Sequence, residues 1–296
     1  MPEKSFLEHI NLGLVSIRPD KINDYAAAKS ASPITNAEEA KKIQAKIQAS
    51  LSPKAEVPIV VPSFWDNDYA SPSEGSVLII PITGCIMYKD WWGLSTSLVY
   101  NILRKAAADK NIVSVVLYFD TPGGETFLLH ETAQLISEFP KPIYSVIDSV
   151  GCSAGYWLAC SAQKVYASSN FSTIGSIGIM ASYYDDQVYL NNMGIKLVEI
   201  YSSLSGEKNK IFDDVQKGNS KEYIQRFLDP LALQFQTDVK AARKNVAEDA
   251  LTGNTYYSQE AISKGLIDGV KAVEDVITEA WAAGTDIINM IQDNTL

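Results

Sequence analysis

The chain has 296 residues, of which 46% are hydrophobic and 20% charged, so it is long enough for one large core with an extension and is not disordered throughout. Its formal net charge of −10 and the lack of any Lys/Arg run argue against nucleic-acid binding, because phosphate contacts need clustered basic side chains. Three cysteines without CxxC spacing predict neither a disulfide framework nor a zinc site, and we expect no metal or other cofactor.

We find no targeting or membrane-spanning pattern. The first residues include Glu3, Lys4, Glu8 and His9, whereas a signal peptide needs an uninterrupted apolar stretch. The most apolar internal run, Ser76–Met87, is too short to span a bilayer, because a membrane-spanning helix needs about 20 residues. We therefore expect a soluble protein without a membrane anchor, and the cysteine usage favours a reducing, cytoplasmic location.

The N-terminal quarter differs from the rest. Ala37–Ser50 is polar with apolar residues at three- and four-residue spacing, which predicts a helix. Pro53–Pro72 contains four prolines and three aromatic residues and predicts an extended segment lying over a surface. These features divide the chain into an arm at 1–72 and a main domain at 73–296.

From Gly75 onward, strand and helix patterns alternate. The predicted strands are Ser76–Ile82, Val113–Phe119, Pro142–Ile147, Lys164–Ala167 and Ile195–Tyr201. The predicted helices are Ser95–Asp109, Phe127–Phe139, Ala154–Ala162 and Lys221–Lys244, with a kink or break at Pro230 in the last. Continuous apolar runs such as Val113–Phe119 are typical of strands buried on both faces. Together these units predict an α/β fold with a mostly parallel sheet.

Asp120–Gly124 (DTPGG) directly follows a predicted buried strand. A Pro-Gly-Gly turn that enters a helix would expose backbone N–H groups near the N-terminus of that helix, where anions and developing oxyanions bind. Taken alone, the motif is better explained as a tight connection.

Ser153 lies among small residues at the start of a predicted helix, after the third strand. That position would present a nucleophilic hydroxyl to a cleft, with the helix dipole favouring negative charge. The alternative role is a simple N-cap, which serine often fills. Cys152 is a rival nucleophile, although Cys152 and Cys160 both fit the commoner pattern of a small buried hydrophobe.

Four stretches in order together resemble the signal peptide peptidase A (protease IV) family of serine peptidases. They are TPGGE at 121–125, SVGCSAGYWLACSAQKVYAS at 149–168, STIGSIGI at 172–179 and TGNTYYSQEAISKGLIDGV at 252–270. The resemblance is to the short, single-repeat branch that includes phage capsid-maturation peptidases. It implies the Clp-protease/crotonase-like fold of repeated β-β-α units and catalysis by a Ser/Lys dyad.

The histidine content agrees with a lysine base. His9 and His130 both precede Ser153, whereas a Clp-type triad places its histidine after the serine. In the family the catalytic lysine comes after a strand and a glycine-containing turn, with the spacing Gly-x-x-Lys. In this chain that spacing would put the lysine at the position of Asn209. Lys208 and Lys210 straddle that position, and we favour Lys208.

The dyad would catalyse acyl transfer. A lysine is a poor base at neutral pH unless burial lowers its pKa, for example against an apolar wall of Tyr156, Trp157 or Ile179. By the resemblance, the oxyanion would be held by the N–H groups of Gly124 and Ala154, with Gly123 as the alternative to Gly124.

The leading hypothesis is a serine endopeptidase that acts on extended or unfolded chains, such as signal-peptide remnants or phage capsid and scaffold proteins. The alternatives are a non-catalytic assembly or scaffold protein of the same fold and a crotonase-type acyl-CoA enzyme. We also expect a homo-oligomer, either a ring or a tetramer, because Lys221–Lys244 and Pro53–Pro72 supply apolar surface that one domain would not bury.

Overall fold

The computed structural model describes residues 14–17, 57–62, 69–88, 95–183, 185 and 187–293. The strands are β1 (Leu14–Ile17), β2 (Ile59–Val60), β3 (Ser76–Ile86), β4 (Ile112–Glu125), β5 (Ile143–Cys152), β6 (Lys164–Ala167), β7 (Thr173–Gly175), β8 (Met180–Ala181), β9 (Thr255–Tyr257) and β10 (Gly269–Val270). The helices are α1 (Thr96–Ala108), α2 (Leu129–Ser137), α3 (Ala154–Ala159), α4 (Gln187–Asn192), α5 (Lys210–Gln216), α6 (Lys221–Tyr223), α7 (Asp229–Ala242), α8 (Ser258–Ser263) and α9 (Val273–Gln292).

Six strands lie side by side in the order β2-β3-β4-β5-β6-β10, and all five pairings between them are parallel. β7 is a further parallel neighbour at the end of β5, while β1 and β9 pair only in the antiparallel sense. The predicted α/β class with a mostly parallel sheet is therefore confirmed.

Both faces of this sheet are covered. Leu78 and Ile80 of β3 belong to a large core shared with α1, α2 and α3, whereas Val77 and Ile79 belong to a second core against α9. This alternation explains the nearly continuous apolar runs of β3 and β4, because neither face of a central parallel strand meets water.

Most predicted elements of the main domain are present, but one is wrong. Ile195–Tyr201 forms no strand, and Ile195, Leu197 and Ile200 are exposed. A strand needs a neighbour to satisfy its backbone groups, and no described strand pairs with this stretch. The predicted helix Ala37–Ser50 lies outside the described residues.

The predicted irregularity near Pro230 is confirmed. Between α6 and α7 the residues Ile224–Leu228 form a wider π-helical turn, and Pro230 lies in the first turn of α7. Because proline lacks an N–H group, it fits a position where the regular helical ladder is interrupted.

Part of the N-terminal arm is described. Within Pro53–Pro72, the short strand β2 is extended as predicted, and Tyr69 is buried, with its hydroxyl donating to the Asp109 carboxylate at 3.1 Å. In the described part of the chain, no helix has the length and apolar character needed to cross a membrane.

Candidate active site

Ser153 occupies the sharp turn between β5 and α3. It has φ 55° and ψ −121°, a conformation that costs a non-glycine residue energy and is concentrated at functional sites. Its N–H group donates to the Gly175 carbonyl at 2.8 Å, and only 1% of the residue is exposed. The side chain makes no N-capping hydrogen bond, so the simple N-cap role does not explain this serine.

Two glycines allow the turn to pack so closely. A Cβ atom at Gly151 would lie 2.7 Å from Ile147 Cγ1, and one at Gly155 would lie 2.3 Å from Thr121 Cγ2. The resulting Gly-x-Ser-x-Gly spacing at 151–155 is typical of turns that present a nucleophilic serine. The spacing is visible in the sequence, but the prediction did not use it.

The Pro-Gly-Gly motif is placed differently from the prediction. Instead of turning into a helix, β4 continues through Gly123 and Gly124 to Glu125, and α2 begins only at Leu129. Gly124 must be a glycine because a Cβ atom there would lie 1.9 Å from the Ile86 carbonyl oxygen of β3. The candidate oxyanion donors therefore belong to a strand end and not to a helix N-terminus.

Thr121 holds this strand end in place, a role that the sequence did not reveal. Its buried hydroxyl donates to the Gly84 carbonyl at 2.6 Å and accepts from the Gly123 N–H at 3.1 Å. The Gly123 N–H group therefore has a side-chain partner, and Gly124 pairs with Ile86 of β3, so the choice between Gly123 and Gly124 as oxyanion donor stays a prediction.

A third segment completes the surroundings of the serine. Gly175, whose carbonyl binds the Ser153 N–H, has φ 112°, and the next residue, Ser176, has φ 54°. The Ser176 N–H donates to the Asn254 carbonyl at 2.7 Å. The strand that follows Asn254, β9, pairs with β7. The ends of β4, β5 and β7 thus meet around one buried serine, and two of the non-glycine residues there, Ser153 and Ser176, have positive φ.

Both candidate bases lie on the surface of the single chain. Lys208 and Lys210 are exposed, and Asn209 between them has φ 63°. The Lys210 ammonium binds the Glu207 carboxylate at 3.1 Å, and this hydrogen bond raises the pKa of Lys210. The burial that would activate either lysine is not provided by the described part of one chain, so the choice of base stays a prediction.

The side chains considered as an apolar wall belong mainly to the core. Tyr156 is fully buried and donates to the Leu266 carbonyl at 2.8 Å, while Trp157 stacks on Phe235 with ring centroids 4.4 Å apart. Ile179 is partly buried and packs against the same core.

Cys152, the rival nucleophile, and Cys160 are both buried, as expected. The Cys152 thiol donates to the Thr173 carbonyl at 3.5 Å, and burial raises the pKa of Cys160 to about 12. His130 pairs with Asp238 at 2.8 Å, which fits an ordinary structural histidine.

The lysines belong to a long stretch with little packing. No described residue between 178 and 234 is buried. We call residues 187–216 the exposed segment. Its large exposed apolar side chains are Val188, Tyr189, Met193, Ile195, Leu197, Val198, Ile200, Tyr201, Leu204 and Phe212.

Comparison with known proteins identifies the family of this chain. The model of peptidase family S49 matches residues 137–285. The chain is 26% identical over 215 residues to the head-tail preconnector protein GP5 of Enterobacteria phage P21, covering 68% of this chain and 42% of that protein. It is 29% identical over 184 residues to capsid assembly protease C of Escherichia phage lambda, covering 60% and 40%.

A third relative is protease 4 of Haemophilus influenzae, 22% identical over 207 residues that cover 67% of this chain and 32% of that protein. The chain thus spans less than half the length of these three relatives. Among solved structures, a membrane-bound stomatin-specific protease with a substrate peptide aligns with a TM-score of 0.40 at 15% identity, covering 69% and 78% of the two chains.

Proposed function

Because the chain belongs to peptidase family S49, we propose that it is a serine endopeptidase with Ser153 as the nucleophile and Lys208 as the general base. The observation that carries this proposal is the strained, glycine-flanked turn at Ser153, held against the strand end that contains Gly123 and Gly124. The proposal is supported by the position of Ser153, directly after β5, next to the strand end of β4 that carries two of the candidate oxyanion donors, because acyl transfer needs a nucleophile close to such donors.

The reaction would proceed in two steps. A neutral lysine amine takes the Ser153 hydroxyl proton as the oxygen attacks the peptide carbonyl, and the N–H groups of Gly124 and Ala154 stabilise the tetrahedral oxyanion. The C–N bond then breaks, the lysine returns the proton to the leaving amine, and water hydrolyses the serine ester. Lys210 is the alternative base, although its bond to Glu207 works against a neutral amine.

The exposed position of both lysines supports the further proposal of a homo-oligomer, a ring or a tetramer. A lysine becomes a useful base only when burial disfavours its ammonium form. The exposed segment, which contains both lysines, carries ten large exposed apolar side chains, and exposed apolar surface is typical of protein interfaces. Packing of a second copy on this segment would remove the lysine from water.

The proposed substrates are extended or unfolded polypeptides, which can add a strand to an open sheet edge. Two relatives carry names connected with phage capsid or connector assembly, so capsid or scaffold proteins are one class of candidate natural substrate. Signal-peptide remnants are the other class, which the resemblance of the sequence to the signal peptide peptidase A family implies. A crotonase-type enzyme or a non-catalytic scaffold protein would not need an activated serine.

A fluorophosphonate probe tests the proposal, because it reacts only with an activated serine. We expect labelling of the wild type at one serine, loss of labelling and of peptide hydrolysis in Ser153→Ala, and unchanged behaviour in the control Ser149→Ala, which alters an exposed serine nearby. Wild type that stays unlabelled and leaves unfolded polypeptides intact would favour the scaffold alternative. Hydrolysis that survives in Ser153→Ala would redirect attention to Cys152.

A further inference from the structure

The edge of β4 beside Ser153 has an unusual occupant. β3 lies along one edge of β4 as far as Gly124, and β5 lies along the other edge only as far as Thr121, which pairs with Gly151. Beyond this point β5 leaves β4 and turns into Ser153 and α3. The departure leaves a strand-wide position between the Pro-Gly-Gly strand end and the residues that follow β7.

β1 fills that position. Val15, Ser16 and Ile17 of β1 pair in antiparallel register with Glu125, Gly124 and Gly123 of β4. Along its other edge, Leu14 and Val15 pair with Ala181 and Met180 of β8. Cα atoms of β1 and α3 approach within 8 Å, so the strand lies next to the serine turn. A segment from near the start of the chain therefore has strand partners on both edges at the candidate active site.

An extended peptide would bind at this same position. Main-chain hydrogen bonds to two flanking strands hold any extended chain largely independently of its sequence, and antiparallel addition to a free strand edge is a common mode of peptide recognition. Adjacent to Gly123 and Gly124, such a peptide would have its carbonyl groups near the proposed oxyanion donors. Since the two cannot occupy one position together, β1 and a peptide substrate must compete.

We propose that Leu14–Ile17 is an intramolecular occupant of the peptide-binding position, which an incoming polypeptide has to displace. The proposal rests on the proposed peptidase function for its biological meaning, but it concerns binding and not hydrolysis. The sequence Leu-Val-Ser-Ile is rich in strand-forming residues and carries no charge, so the class of ligand it imitates is an uncharged, extended aliphatic segment. A tethered occupant competes at an effective concentration of about millimolar, which weakens the apparent affinity for free peptides.

Binding is measured in the Ser153→Ala background, so that cleavage cannot interfere and failure of the catalytic proposal does not affect the result. The probe is a fluorescein-labelled peptide with the sequence Asn11–Asp20, followed by fluorescence anisotropy. In the test protein Val15→Pro and Ser16→Pro remove two N–H groups from β1, because proline is not tolerated in a strand with partners on both edges. The matched control carries Ala26→Pro and Ala27→Pro in the same N-terminal region.

We expect the Val15→Pro, Ser16→Pro protein to bind the peptide at least tenfold more tightly than the Ser153→Ala parent, and the control to bind like the parent. A peptide with prolines at the positions of Val15 and Ser16 should not bind. Equal affinities for the test protein and the control would overturn the proposal, and so would the absence of peptide binding to the folded test protein.

A reversible lock gives a second measurement that does not depend on the proline variant. Val15 and Met180 are antiparallel partners, so Val15→Cys with Met180→Cys can form a cross-strand disulfide. We expect the oxidised protein to bind the peptide at least tenfold more weakly than the same protein after reduction. If oxidation is complete by mass and the affinity does not change, β1 does not occupy the peptide position.

Discussion

The serine turn and the exposed segment carry the two halves of the proposed dyad, yet they are built in opposite ways. Around Ser153 the backbone packs closely, because a Cβ atom at Gly151 would lie 2.7 Å from Ile147 and one at Gly155 would lie 2.3 Å from Thr121. Around Lys208, no described residue from 178 to 234 is buried. The difference indicates that one chain fixes the position of the proposed nucleophile by its own packing, whereas the proposed base would need a partner that covers the exposed segment.

The largest effect should come from removing the base. Lys208→Ala should lower the rate of peptide hydrolysis about 10³-fold or more, as the loss of one member of a catalytic unit does. Lys210→Ala should stay near the wild-type rate, as should the control Lys217→Ala, which removes another exposed lysine of the same region. Steady-state kinetics on an unfolded polypeptide measure all three.

The pattern of losses is informative in each direction. A large loss only in Lys210→Ala would transfer the role of base to that residue. Small and equal losses in Lys208→Ala and Lys210→Ala would contradict a lysine base in the exposed segment.

The next effect concerns assembly. Leu204 and Ile200 are 94% and 91% exposed in the single chain, so Leu204→Glu with Ile200→Glu should prevent the exposed segment from packing on a second copy. Light scattering at micromolar concentration should give a multiple of 32.4 kDa for the wild type and a single-chain mass for the variant, with loss of hydrolysis. Phe171→Glu, which changes an exposed residue outside the segment, is the control. A wild-type mass of one chain that does not rise on concentration would exclude the assembly.

Close packing at the serine turn can be tested by adding one methyl group. Gly155→Ala should lower the free energy of unfolding by about 1–3 kcal/mol, because the new Cβ atom meets Thr121 Cγ2. Thr121→Ser removes that methyl group and keeps the hydroxyl that bonds Gly84, so it should restore part of the loss in the double variant. Gly206→Ala in the exposed segment has open space around it and should change stability by less than about 0.5 kcal/mol.

Urea unfolding followed by circular dichroism compares these variants. If Gly155→Ala and Gly206→Ala unfold at the same urea concentration as the wild type, the contrast between a packed turn and an open segment does not hold.

The smallest effect compares two ion pairs. Burial tends to raise the pKa of Asp268, but hydrogen bonds from Arg243 and from the Val165 N–H outweigh it and lower this pKa. The native state therefore favours the carboxylate, and the resulting stability is present above the unfolded pKa of about 3.9 and is lost as the pH falls through the lower folded value. Asp268→Asn should cost about 1–3 kcal/mol at neutral pH.

The difference in the free energy of unfolding between Asp268→Asn and the wild type should become smaller as the pH is lowered below about 4, because the wild-type carboxyl then also becomes neutral. Glu207→Gln breaks the solvent-exposed pair with Lys210 and should leave the unfolding transition unchanged. If Asp268→Asn loses the same amount of stability at neutral and at acidic pH, the pKa of Asp268 is not lowered in the folded protein.

What the sequence could predict follows the same division. Buried strands such as Val113–Phe119 and the turn at Ser153 were predictable because their apolar runs and small residues reflect contacts within the chain. The strand predicted at Ile195–Tyr201 is wrong because its apolar residues are exposed in the single chain. A run of apolar residues does not distinguish a buried strand from an exposed apolar surface. The hydrogen bonds of Thr121 and the pairing of β1 join residues far apart in the sequence, and no local pattern encodes such contacts.

The dependence of Gly175 and Ser176 on β9 has a consequence for the newly made protein. The Ser153 N–H donates a hydrogen bond to the Gly175 carbonyl, and the N–H of the next residue, Ser176, donates to the Asn254 carbonyl. The surroundings of the serine are therefore completed by residues about 100 positions later in the chain. At a synthesis rate of about 5–20 residues per second, these residues leave the ribosome roughly 5–20 seconds after the serine does. During that interval the Ser153 hydroxyl is already outside the ribosome but its surroundings are unfinished. Under the proposed function, a nascent chain would therefore be unable to cleave other chains on the same polysome.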